Sequence, residues 1–109
     1  MDFSLDRETE VLRERVGAFL EEAVIPREPE AARDPERLEV IARELQAEAQ
    51  RRGLFLPQMP RELGGLGLSW TQLAVILEEA GRSLLGPRAL NAAAPDEGNM
   101  HLLHRVASP

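Results

Sequence analysis

His101 and His104 stand three residues apart in a helical pattern, one turn after Asp96 and Glu97. Two imidazoles and a carboxylate are donors that zinc accepts. A spacing of three puts both rings on neighbouring parts of a helix surface. However, Met100 and Leu103 take the expected inward face, which turns the histidines toward solvent, and ligand type alone specifies a metal poorly. Ser83, His101 and Asp96 supply the residue types of a nucleophile, a base and an orienting acid, yet no Gly-x-Ser-x-Gly elbow surrounds Ser83. Arg88 and Asn91 lie one turn apart after the Gly86-Pro87 break and could offer a ligand a cation and an amide. The alternative is a solvated Arg88.

The glycines of Arg61-Glu62-Leu63-Gly64-Gly65-Leu66-Gly67-Leu68-Ser69-Trp70 pose a separate question. A dinucleotide fingerprint needs G-x-G-x-x-G after a strand. Here Gly65-x-Gly67-x-x runs into Trp70, and proline-broken loop precedes it. A P-loop ends in Gly-Lys-Ser/Thr, and this chain has no lysine. The steric reading fits better: glycine permits backbone angles that swing a long loop sharply into the next helix.

The elements that must position these residues read as helices throughout. Asp6 caps the first, with Leu12, Val16, Phe19, Leu20 and Ala23 at helical spacing. Pro26 is expected to stop it, leaving Arg27 to Arg33 as a charged loop. Asp34-Pro35 is a cap followed by proline at the first helical position. It opens a second helix with Leu38, Ile41, Ala42, Leu45 and Ala49 inward and Gly53 past its end. Residues 54 to 68 form a long connection packed by Leu54, Phe55, Leu56 and Met59. Ser69-x-x-Gln72 is a capping box for a third helix carrying Leu73, Ile76, Leu77, Ala80 and Leu84 on one face. A short helical turn over 87–92 and a last helix near 97–106, introduced by Pro95-Asp96 with Met100, Leu103 and Val106 inward, complete the chain. The fold class is all-α, as one helical, bundle-like domain over residues 1–109.

Composition narrows the function. The net charge is −6, and all 13 basic residues are arginine without a dense stripe, which argues against a nucleic-acid partner. No apolar run approaches the roughly 18 residues of a membrane span. No secretory signal precedes the first helix, so a cytoplasmic location is expected. There is no cysteine, hence no thiolate chemistry.

Several stretches, in this order, resemble the N-terminal helical domain of flavin-dependent acyl-CoA dehydrogenases. They are Phe3-Ser4-Leu5, Gly53-Leu54-Phe55, Pro57 through Leu68, Leu77-Glu78-Glu79-Ala80-Gly81-Arg82-Ser83, and Asn91 through Met100. The last is similar to a family branch with the motif Ala-Pro-Asp-Thr-Gly-Asn-Met, from which Glu97 departs. The resemblance covers essentially the whole chain. It implies an N-terminal domain without the β-domain and C-terminal bundle that hold most of the FAD and supply the catalytic glutamate. By that resemblance this chain has no catalytic, cofactor or metal residues of its own and is inactive alone, while FAD and acyl-CoA, in fatty acid metabolism, belong to the complete enzyme. What the domain supplies is one wall of the acyl pocket, carried by Leu84, Pro87, Arg88, Asn91 and Ala92. Arg88 and Asn91 are polar for a plain fatty-acyl wall. A homo-oligomer, or a partner chain bearing the missing domains, is expected. The rival reading is a free-standing helical interaction module, or the remnant of a truncated gene, without catalysis.

Overall fold

A computed structural model describes residues 6–93 and 96–106, with the side chains of 96–98 outside that description. Among the described residues, six α-helices follow one another: α1 (Arg7–Phe19), α2 (Glu28–Arg33), α3 (Pro35–Arg51), α4 (Trp70–Ala80), α5 (Gly86–Ala89) and α6 (Asp96–Val106). Among the described residues there is no strand, as the helical spacing predicts.

The caps form as the sequence dictates. The Asp6 carboxylate accepts from Thr9 N at 2.7 Å, and Asp34 accepts from Glu36 N at 3.0 Å. Ser69 and Gln72 close both halves of their capping box, at 3.2 Å and 2.9 Å. Each such cap satisfies an amide that the first helical turn leaves without a partner, and contributes about 1 kcal/mol.

α1 packs against α4, and α3 packs against both α2 and α5. Val16, Phe19, Leu20, Val24, Ile41, Leu45, Ala49, Leu54, Ile76, Ala80 and Leu90 meet in one core. Phe19 is fully buried, and the half-buried Arg52 lies over its ring at 5.5 Å. That guanidinium also pairs with Glu22 at 2.8 Å and Glu48 at 3.2 Å, so the cation covers apolar surface while its charge stays compensated.

Pro26 does not stop the first helical run. The Ile25 N–H bonds Leu20 O, five residues back, in a widened turn over Leu20–Val24, and a tight 3-10 turn over Ile25–Arg27 leads into α2. A proline ring collides with the carbonyl four residues before it, and widening the turn opens room for it. The segment expected as a charged loop, 27 to 33, is therefore helical. Arg27 pairs there with Glu44 at 2.9 Å and Arg37 with Glu30 at 2.8 Å, which ties α2 to α3.

α6 also departs from expectation. Leu103 and Val106, expected inward, are 60% and 67% exposed, and Leu102 is exposed beside them. The helix is held at its start instead. Gln58 Nε2 lies 3.4 Å from Met100 Sδ, and the Trp70 and His101 rings stand 5.9 Å apart. No described helix packs along its later turns to bury an apolar stripe. Phe3-Ser4-Leu5, Ala94-Pro95 and the side chains of Asp96 and Glu97 lie outside the described residues.

Candidate functional site

The residues expected to form a wall lie on the chain between α4 and α6, and close backbone approaches set their course. Gly86 is buried against the end of α4, where an added Cβ would sit 1.9 Å from Ala80 O. Only glycine lets the chain double back so tightly. Ser83 precedes it, 3% exposed. Its hydroxyl donates to Glu28 Oε1 at 2.6 Å and accepts from Leu85 N at 3.1 Å. Ser83 is therefore engaged by a carboxylate and a backbone amide, which is a structural use of the hydroxyl.

Pro87 stands in the first turn of α5, and Gln46 Nε2 reaches from α3 to donate to Arg88 O at 2.9 Å. The Arg88 guanidinium pairs with Glu39 of α3. The half-buried Arg88 is thus a compensated cation, intermediate between the solvated residue and the ligand-binding cation that the sequence leaves open. The next turn ends in Asn91, a non-glycine residue at φ +60°. Its carbonyl accepts from Gln58 Nε2 at 2.9 Å, and Ala92 N closes back onto Pro87 O at 2.8 Å.

Four of the five expected wall residues divide into two environments, with the half-buried Pro87 in the short α5 between them. Leu84 is 98% exposed, while Leu85 beside it is buried. Leu84 and Arg88 line an open groove of about 530 Å³ with Pro29, Ala31, Ala32 and Leu38, a mostly apolar surface. The half-buried Asn91 and the buried Ala92 do not line that groove; the 54–59 connection holds them, through Leu56 N to Leu90 O at 2.9 Å and Gln58 to Asn91. Leu84 also stands apart from the buried face of the third helix on which the spacing put it, because α4 ends at Ala80 and the chain turns before reaching Leu84.

Glu39, Gln46 and Gln58 hold this segment, and sequence reasoning passed over all three. Each makes its contact tens of residues away, so neither spacing nor composition marks it. A polar residue in a proline-broken connection, such as Gln58, was the one available signal.

The glycine run adopts the steric role. Gly64 and Gly67 have φ of +89° and +63°, and a Cβ on Gly65 would sit 2.0 Å from Met59 O. The amides of Gly64, Gly65, Leu66 and Gly67 donate to Arg61, Pro60, Leu56 and Met59 carbonyls. Those donors are spent within the loop, so its residues do not fit a phosphate group. Of the histidines, His104 is exposed as expected, but His101 is half-buried under Trp70. The indole at the start of α4 lies against that ring, which the pattern of α6 alone could not show. Among the described residues, no group of three or more His, Cys, Asp or Glu gathers as a metal site would require.

Comparison with known proteins bears on the whole segment. A family model described as Acyl-CoA dehydrogenase, N-terminal domain, matches residues 6–109. Acyl-CoA dehydrogenase family member 11 of Rattus norvegicus is 32% identical over 118 residues, covering 97% of this chain and 14% of that protein. Acyl-CoA dehydrogenase family member 10 of Mus musculus is 35% identical over 107 residues, covering 89% of this chain and 10% of that protein. Probable acyl-CoA dehydrogenase FadE2 of Mycobacterium tuberculosis is 34% identical over 112 residues, covering 95% of this chain and 27% of that protein. The chain spans a small part, between 10% and 27%, of the length of these relatives. No solved structure matches it.

Proposed function

The chain belongs to the acyl-CoA dehydrogenase family, as an N-terminal domain of that family, and from this premise we propose that it forms one wall of an acyl pocket. The complete enzyme would be an FAD oxidoreductase that removes hydrogen from the α and β carbons of an acyl-CoA thioester. The family match along nearly the whole chain carries this reading. Leu84, Pro87, Arg88, Asn91 and Ala92 are the wall residues.

The carboxylates nearest this segment make structural contacts, which supports a positioning role for it. Glu28 accepts the Ser83 hydroxyl, and Glu39 is paired with Arg88. The glycine loop does not fit the pyrophosphate of a flavin, since its amides already donate internally. The flavin and the base therefore belong, in this reading, to other parts of the enzyme.

Leu84 and its apolar groove support the companion proposal that this face is covered by further domains, or by a second copy of the chain in a homo-oligomer. An exposed apolar patch of this kind marks a contact surface. Among the described residues, no helix is long and apolar enough to cross a membrane. A cytoplasmic enzyme is the location this reading carries.

Two readouts on the purified chain test the proposal. Titrated with FAD and an acyl-CoA, the chain is expected to bind no flavin tightly and to turn nothing over. Flavin absorbance that co-purifies, or thioester oxidation by this chain alone, would overturn the division of labour. Sedimentation at high concentration is expected to show self-association, and a clean monomer would remove the oligomer from the proposal.

A further inference from the structure

Leu56 and Asn91 are the non-glycine residues of the described chain with positive φ, at +55° and +60°. They face one another across the fold. Leu56 N donates to Leu90 O at 2.9 Å, and two residues on, Gln58 Nε2 donates to Asn91 O at 2.9 Å. Left-handed backbone crowds the Cβ of an L-residue, so each of these residues needs outside support to stay there. Asparagine tolerates the conformation better than most residues, and glycine adopts it freely.

We propose that Gln58 is a positioning residue: its side-chain amide locks the Asn91 carbonyl, holds the turn left-handed, and so aims residues 91–93. The state of the amide supports this. Gln58 Oε1 is buried and has no hydrogen-bond partner among the described residues. A buried acceptor left unpaired is costly, and inverting the amide would set that oxygen against the Asn91 carbonyl. The group of this side chain that makes contacts here is thus its nitrogen. The same nitrogen lies 3.4 Å from Met100 Sδ, which places one amide between the turn and the start of α6. The connection is itself rigid at this point, because Gly65 packs against the Leu56 and Met59 carbonyls so closely that no Cβ fits. Gln58 therefore clamps from a fixed base.

That the aimed segment lines an acyl pocket rests on the reading given above; the clamp itself does not. Amide hydrogen exchange on the purified chain, with neither flavin nor thioester present, tests the clamp. The reporter is Ala92 N–H, which is protected by Pro87 O only while the turn is closed. Gln58→Met keeps the bulk of the side chain and removes the donor. Exchange at Ala92 is expected to accelerate at least about tenfold, while the Ile41 and Ile76 amides of the core keep their protection. Adding Asn91→Gly should return Ala92 to within about threefold of the parent, because glycine holds this conformation without help. Unchanged exchange at Ala92 in Gln58→Met overturns the proposal. So does a failed rescue, or a loss of protection shared equally by Ile41 and Ile76, since either would make Gln58 ordinary packing. The wall reading survives those outcomes, and flavin binding by the chain would sink the wall reading while leaving the clamp intact.

Discussion

The molecule is held together in two different ways. Where α1, α3 and α4 meet, apolar side chains at helical spacing fill a core, and the backbone looks after itself inside the helices. Where the 54–68 connection meets residues 81–93, there is little helix to satisfy the backbone. Glycines without room for a Cβ, left-handed residues and glutamine amides hold that region. The first region depends on buried area, which is non-directional and tolerant of small shifts. The second depends on a few contacts of fixed geometry. That difference suits a domain whose helices are scaffold and whose loops would carry the proposed wall positions.

Phe19→Ala gives the largest expected effect. The ring is fully buried, so its loss removes both transfer energy and packing, at a cost of about 3–5 kcal/mol. Arg52 also loses the face it covers. A chain this small has about 5–15 kcal/mol of stability to begin with. Thermal unfolding should therefore shift down steeply, or the variant should be partly unfolded at 25 °C. A shift no greater than that of an exposed-site variant would mean that the core does not dominate as the comparison requires.

Gly86→Ala comes next and probes the other region. It adds one methyl group, which in most sites would be harmless. Here the Cβ would meet Ala80 O at 1.9 Å, so the backbone must shift, at about 1–3 kcal/mol. The same change at Gly64, where nothing lies within 4 Å, meets only the strain of φ +89°. Gly64→Ala should cost less, about 1–2 kcal/mol. If chemical denaturation ranks the two the other way, close approach is not what shapes residues 81–93.

The two regions were also unequally legible in the sequence. Helices α1, α3 and α4 could be read because their determinants are local: Asp6, Asp34-Pro35 and Ser69-x-x-Gln72 mark their starts, and the apolar period marks their faces. The course of the chain at Pro26 was not legible. A widened turn is a cooperative solution among Leu20, Ile25 and the proline, and no single residue announces it. The exposure of Leu103 and Val106 escaped for a related reason: an apolar stripe shows which face could be buried, and only the assembled fold shows whether anything covers it. The Gln58 to Asn91 bond links residues 33 apart and leaves no local trace. The resemblance implies a wall at Leu84 to Ala92, while the groups that hold this segment, Glu39, Gln46 and Gln58, are set only by the assembled fold.

Acid provides the smallest and most selective separation of the two regions. Asp6 has a lowered pKa, first because it accepts the Thr9 amide. Glu30 is lowered by its hydrogen bond from Arg37, and Glu48 by those from Arg51 and Arg52. Each group's folded value thus lies below its unfolded one. Their stabilisation is complete above the ordinary carboxylate range and is lost as pH falls through the lowered folded values. The thermal midpoint should be insensitive to these groups near neutrality and should decline below about pH 4. Asp6 is exposed and Glu30 and Glu48 are half-buried but still reached by solvent, so the decline should be gradual. They belong to the cap of α1, the α2–α3 corner and the last turn of α3, whereas the bonds from Leu56 N to Leu90 O, Gln58 to Asn91 and Ala92 to Pro87 contain no titrating group. In mild acid, relative to each amide's intrinsic rate, Thr9 and the start of α3 should lose exchange protection before Ala92 does. Loss of Ala92 protection in step with them would show that the amide clamp leans on the charged corner, and the two modes of holding the chain would then be one.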